Sequence, residues 1–303
     1  MKHWSKIFIA FLVSISFILN GIGSAAADQN TDDDAINEKF GLPIVVYGET
    51  LTAEQKDEVR KLLKVTDPSK VEEITVTAKD LARLIDGNPN SRMFSSAKIT
   101  LKEKGNGLVV TRVTPDNITE VTEEMYANAM LTAGIENATV DVASPVKVTG
   151  HSALVGIYKA YESRGETLDK DRMEVANEEL DLATDLAGKD GLDDEKVSEL
   201  LTEIKKAIAD QNPATKEDVE KIVEEQLKKM KIELSPEDRQ LLIDLFEKMR
   251  SINIDFGNVK NQLEDISKDI KKKLENVIGD EGFWDSVSNF FKKLFESIAN
   301  LFK

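Results

Sequence analysis

The residues that come nearest to a reactive constellation are Gly150-His151-Ser152, where a strand-like run leads in and a helix-like run leads out. That is the setting of a nucleophile elbow. The elbow requires G-x-S-x-G, however, and the position two after Ser152 is Leu154, with the next glycine at Gly156. His3 falls in the leader described below, so His151 would have to activate its immediate neighbour with no second imidazole in support. The spacing instead assigns Ser152 to capping a helix over Ala153–Ser163.

Metal chemistry is no better served. Asp86-Gly87-Asn88-Pro89-Asn90-Ser91 sets oxygen ligands at alternate positions, as a calcium loop does, but Ser91 stands where that loop needs glycine and Ala97 where it needs a bidentate glutamate. Asp190-Gly191-Leu192-Asp193-Asp194-Glu195 reads as a helix end, a glycine turn and the acidic start of the next helix. Neither a G-x-x-x-x-G-K-[ST] phosphate loop nor a G-x-G-x-x-G run occurs. With 56 acidic residues, no carboxylate pair stands out for acid–base work, and zero cysteines exclude a thiol nucleophile, a disulfide and thiolate-bound zinc. The reading assigns no catalytic, cofactor-binding or metal-binding residue and no cofactor. It favours binding over a reaction, with a secreted hydrolase of unidentified catalytic residues as the alternative.

The start of the chain predicts a compartment. Lys2, His3 and Lys6 precede an apolar run from Ile7 to Leu19, broken only by Ser14 and Ser16, and Ala25-Ala26-Ala27 supplies a small-residue cleavage site. This pattern is a signal peptide over residues 1–27, cut before Asp28. A spanning anchor needs about 20 apolar residues, and Asn20, Gly21 and Gly23 interrupt the run first. The expected localisation is secreted, extracellular or associated with the cell envelope. Loss of Lys2 and Lys6 takes the net charge from −16 to −18, a field that repels nucleic acid.

The elements that must position any site fall into two grammars. Residues 28–39 form a polar, flexible lead-in with one large apolar residue, Ile36. Residues 40–164 interleave strands and helices. A strand around Leu42–Gly48 feeds a helix opened by a Thr52/Gln55 capping box, which places Val59, Leu62 and Leu63 on one face. A strand over Val71–Val76 and a helix over Ala78–Ile85 follow. Two β-rich runs flank Gly105-Asn106-Gly107 and are expected to form a hairpin. A helix over Thr119–Thr132 and a strand over Ala138–Ala143 complete this part, an α+β or α/β layer domain.

Residues 165–278 read as helices only: Asp169–Ala187, Asp193–Asp210, Thr215–Lys231, Pro236–Arg250 and Asp255–Ile278. The second of these carries Val197, Leu200, Leu201, Ile204 and Ile208 on one stripe. Ser235-Pro236-Glu237-Asp238 combines a cap, a first-turn proline and dipole-matched carboxylates. Val259, Leu263, Ile266, Ile270, Leu274 and Val277 make a narrow coiled-coil-like seam, to be filled by another helix of this part or by a second copy in a homo-oligomer. The helical part is also the more acidic, −12 over residues 166–303 against −6 over residues 28–165.

Three stretches, Ala143–Glu162 (ASPVKVTGHSALVGIYKAYE), Val46–Leu63 (VYGETLTAEQKDEVRKLL) and the Ser95–Thr100 strand (SSAKIT), resemble the YpuA-like family of predicted secreted bacterial proteins, domain of unknown function 1002. The resemblance covers roughly Phe40–Ala209, with the helices from about Thr215 outside it. It implies export, a shared core and a Gram-positive-type bacterial source, and it brings no catalytic residues to carry over.

The last feature is the tail. Residues 279–303 comprise a hinge, Gly279-Asp280-Glu281-Gly282, and a terminal amphipathic helix holding six of the fourteen aromatic residues that follow the leader. At about 100° per residue, Phe283, Trp284, Val287, Phe290, Phe291, Leu294, Phe295, Ile298, Leu301 and Phe302 fall on one arc, with the polar and charged residues on the other. Burying such side chains is worth ~1.5 to 3 kcal/mol each, so the face needs a cover. Its own helices, a membrane surface, or a partner helix from a second copy would each serve. The predicted role is a secreted, non-enzymatic binding protein of the cell envelope, able to touch the membrane surface through this helix.

Overall fold

A computed structural model of the chain describes residues 40–189 and 192–278, with side chains to Leu274. Residues 1–39, expected to be a signal peptide and lead-in, and residues 279–303, expected to be a hinge and terminal amphipathic helix, lie outside the described residues.

The N-terminal half is a five-stranded mixed sheet and the remainder is almost wholly helical, an α+β fold. Strand β1 (Ile44–Gly48) is buried along its whole length and therefore central. Helix α1 (Ala53–Leu62) opens on the expected box: Thr52 accepts from the Gln55 N–H while the Gln55 side chain accepts from the Thr52 N–H. Strand β2 (Glu72–Val76) lies parallel to β1, and α2 (Ala78–Ile85) follows it, capped by Thr77 and Asp80. The sheet continues with β3 (Ser96–Leu101), β4 (Leu108–Arg112) and, after helix α3 (Glu123–Ala133), β5 (Ala138–Ala143).

The strand order is β2-β1-β3-β5-β4, which overturns the expected hairpin. Strand β5 occupies the slot between β3 and β4, antiparallel to the first and parallel to the second. Leu101 and Leu108 both stand opposite Ala138, so residues 102–107 arch over the start of β5. Gly105 and Gly107, at φ 93° and 68°, donate their N–H groups to the Asn137 side chain at 2.8 and 3.1 Å. Straddling one strand requires about 9.6 Å, twice the inter-strand spacing, and six loop residues span it where a two-residue turn would not.

Each face of the sheet has its own cover. On one side Val59 of α1 and Leu63, just past its end, pack on Val45 and Tyr47. Arg60 holds α1 to β2 by donating to both Glu73 oxygens at 2.8 Å, while the Tyr47 hydroxyl donates to the same carboxylate at 2.7 Å. On the other side lie α3 and α4 (Ser152–Ser163). Gly156 lets α4 approach the sheet, since a Cβ there would stand 3.3 Å from Val46 Cγ1.

The change of grammar at Gly165 is a change of element type, and one apolar core runs across it from Ile44 to Leu263. Helix α5 (Lys170–Leu186) packs on α3 and α2, and α6 (Asp194–Gln211) lies between α3 and α5 on one side and α7 (Lys216–Met230) and α9 (Lys260–Ile278) on the other. Asp169, Asp193, Thr215 and Ser235 cap α5, α6, α7 and α8 (Pro236–Ser251) as their residue types predict. The stripe Val197, Leu200, Leu201, Ile204 and Ile208 is buried throughout. On the seam, Val259, Leu263 and Ile270 are buried, and the neighbours of α9 are α6 and α3. The Val277 side chain lies outside the described residues.

Candidate functional site

Gly150 stands at φ +114°, where an added Cβ would meet the Tyr126 hydroxyl at 2.7 Å, and that hydroxyl donates to the Gly150 carbonyl at 2.6 Å. The turn starts α4 one residue earlier than the capping reading placed it. Ser152 is already the first helical residue, and the position before it is His151, which makes no side-chain cap bond. Local backbone contacts supply the reason: Ala153 donates to the Gly150 carbonyl at 3.1 Å and Leu154 to the His151 carbonyl at 3.2 Å, so the helical turn begins at the glycine.

The His151 ring joins α4 to α5. Its Nδ1 lies 3.1 Å from the Thr149 hydroxyl, and its Nε2 lies 3.2 Å from the Thr184 hydroxyl and 3.3 Å from Asp181 Oδ1. Ser152 is not among these partners. Thr184 donates its own proton to backbone carbonyls of Leu180 or Asp181, which leaves Nε2–H to donate and Nδ1 to accept from Thr149 when the ring is neutral. A hydroxyl, an imidazole and a carboxylate thus stand in line. Desolvation raises the Asp181 carboxyl above its usual value, with His151 opposing and Asp185 and Glu178 adding. Its side chain is nevertheless 55% exposed, so solvent screening limits what the pair is worth.

A second cluster, not among the sequence candidates, lies in the core. Lys205 of α6 and Glu179 of α5 form a fully buried ion pair at 2.5 Å. The Lys205 ammonium also donates to the Asn128 carbonyl at 2.8 Å, Thr132 donates to Glu179 at 2.6 Å, and Asn128 donates to Thr202 at 3.0 Å. Burial pulls the Lys205 ammonium below its usual range, and Glu179 opposes the shift. The signal that could have found it is Ser198, Thr202 and Lys205, spaced four and three on α6: a polar stripe on a helix that is covered on both sides. Three helices meet there with every charge paired, which is an arrangement for registry and offers no access to a substrate.

The other sequence candidates disperse. Asp86 ends α2 in the left-handed region and pairs with Lys170 at 3.1 Å, while Asn88 accepts from the Asn90 N–H within its own turn. Asp193 caps α6, and residues 190–191 lie outside the described residues. Among the described residues no group of three or more carboxylates and histidines is placed to hold a metal ion, and no helix is long and apolar enough to cross a membrane. The ten residues proposed for membrane or partner contact, Phe283 through Phe302, all lie outside the described residues.

The model of the family described as "Protein of unknown function (DUF1002)" matches residues 47–266. The "Uncharacterized protein YpuA" of Bacillus subtilis (strain 168) is 36% identical over 270 residues, 87% of this chain and 90% of its own length. No solved structure matches. The matched region runs through α7 and α8 into α9, so it extends well beyond Ala209 and takes in helices that the sequence reading had placed outside it.

Proposed function

The chain belongs to the DUF1002 family of proteins of unknown function, and on that premise we propose that it is a secreted, non-enzymatic binding protein of the cell envelope. The observation that carries this reading is the terminal segment, with ten large apolar residues on one arc and six of them aromatic, behind a leader of signal-peptide form. Among the described residues the large hydrophobics left exposed are Val109 on β4 and Leu241 on α8, which are on separate elements. A body that closes its own apolar surface favours a cover supplied from outside, and a membrane surface suits Trp284 and the phenylalanines, with Lys292, Lys293 and Lys303 toward headgroups. Charges over residues 283–303 sum to only +1, and the acidic body opposes approach to anionic lipid, so binding would be reversible. Fractionation of an expressing culture into medium, wall and membrane tests the compartment, and vesicle flotation tests the surface.

A second reading, a secreted hydrolase, is favoured by one observation: His151 links the Thr149 hydroxyl to the Asp181 carboxylate. In that role His151 Nδ1 would take the Thr149 proton as the oxygen attacks a carbonyl carbon, and would return it to the leaving group. A panel of chromogenic esters and peptides, with Thr149→Ala as control, tests it.

A further inference from the structure

The arch that carries the chain from β3 to β4 over the start of β5 contains Asn106-Gly107, the one Asn-Gly pair in residues 28–303. Asn106 is exposed and Gly107 half-buried. Gly107 has no Cβ to shield its nitrogen, and among the described residues only the Gln262 carboxamide comes within 4.0 Å of where that Cβ would stand.

This pair has a chemistry of its own, because asparagine is among the thermolabile residue types. The Gly107 backbone nitrogen attacks the Asn106 side-chain carbonyl carbon. A new N–C bond closes a succinimide ring, the attacking nitrogen gives up its proton, and the side-chain nitrogen leaves as ammonia. Water then opens the ring at either carbonyl. One product is aspartate at position 106; the other is isoaspartate, whose backbone runs through the former side chain and is longer by one methylene.

Asn137 opposes the first step. Its Oδ1 accepts the Gly105 N–H at 2.8 Å and the Gly107 N–H at 3.1 Å. The attacking nitrogen is thus engaged through the proton it must lose, and the arch is held against the rotation that would bring that nitrogen onto Asn106. The product, in turn, acts on the next residue. The Leu108 N–H donates to the Gln262 side chain of α9 at 3.0 Å, and an extra backbone methylene at position 106 displaces that amide.

We propose that Asn106 is a self-modification site: it deamidates slowly while Asn137 holds the arch, and its isoaspartate form loosens the contact between β4 and α9. The site involves neither the leader nor the terminal segment, so it stands or falls apart from the function proposed above. The full chain, incubated at neutral and at mildly alkaline pH and followed by peptide mapping with mass detection and isoaspartyl methyltransferase labelling, is expected to accumulate aspartate and isoaspartate at position 106, faster at the higher pH. Asn137→Ala should raise the rate several-fold, whereas Asn137→Asp keeps an acceptor oxygen and should stay near the parent rate. The parent chain unfolded in guanidinium loses the clamp without a substitution and should also react faster than the folded chain, which keeps the test open if Asn137→Ala does not fold. Asn106→Gln, with a longer side chain and a less favourable ring to close, should not react. Aged protein enriched in isoaspartate should exchange the Leu108 amide faster than fresh protein, while fresh Asn106→Asp, which carries the new charge on an unaltered backbone, should match the parent. Absence of deamidation at position 106, a rate unchanged both by unfolding and in a folded Asn137→Ala variant, or Leu108 exchange unmoved in the isoaspartate form overturns the proposal.

Discussion

The Gln262 side-chain oxygen of α9 accepts the backbone N–H of Leu108 on β4 at 3.0 Å, across 154 residues of chain. Four residues along the strand, at Arg112, the N–H is taken by Glu123 of α3 at 2.9 Å. Glu123 and Glu124 are in turn held by Lys273 of α9. The last described helix therefore seals an edge strand with side chains, where an open row of amides would template pairing with another chain.

Removing that seal should be measurable. Gln262→Ala combined with Glu123→Ala is expected to cost about 1–3 kcal/mol and to speed hydrogen exchange at Leu108 and Arg112 specifically. Unchanged exchange at both amides would show that α9 does not guard the edge.

The buried pair predicts an asymmetry. Lys205→Met alone strands the Glu179 carboxylate in the core and should cost about 3–5 kcal/mol, whereas Lys205→Met with Glu179→Leu should recover most of it. Denaturant unfolding of both variants checks this; a double variant no more stable than the single one contradicts the account.

Acid stability should depend on Glu203. Burial pushes its carboxyl up, but hydrogen bonds from Lys206 and Ser267 outweigh this and hold it at about 2. A depressed folded pKa stabilises above the unfolded carboxylate value and is lost as pH falls through the folded one, so the contribution should fade between about pH 4.5 and 2. Glu203→Gln is expected to flatten the stability profile in that window by up to ~3 kcal/mol. An unaltered profile would exclude Glu203 as a source of acid sensitivity.

At the α4 start, Ser152→Ala is expected to change stability by no more than about 0.5 kcal/mol, because Ser152 is not the cap. His151→Ala should cost about 1 kcal/mol through its contacts to Thr149, Thr184 and Asp181. Hydrolysis abolished in a folded Thr149→Ala or His151→Ala variant would promote the enzyme reading over the binding one.

A chain ended at Ile278 retains every described residue. If the terminal segment binds lipid, this truncation and Phe290→Asp with Phe291→Asp should melt within about 2 °C of the full chain and lose flotation with vesicles. A full chain that fails to float with zwitterionic or anionic vesicles, beside a truncation that melts several degrees lower, would assign Phe283–Phe302 to ordinary packing.

What the sequence determined by itself is what depends on near neighbours along the chain. The Thr52/Gln55 box, the caps at Asp169, Asp193, Thr215 and Ser235, and the stripe from Val197 to Ile208 are set by spacings of three and four residues, and the structure reproduces them. The tertiary structure alone decided that β5 separates β3 from β4, because an Asn-Gly turn carries no information about a strand that arrives thirty residues later. It alone made Ser152 the first residue of α4 in place of its cap, since the Tyr126 hydroxyl and the left-handed Gly150 start the turn. It also placed Lys205 in the core: periodicity sees one apolar face per helix, while α6 is covered on both sides, so a polar stripe that reads as solvent-facing must find Glu179 and Asn128 instead.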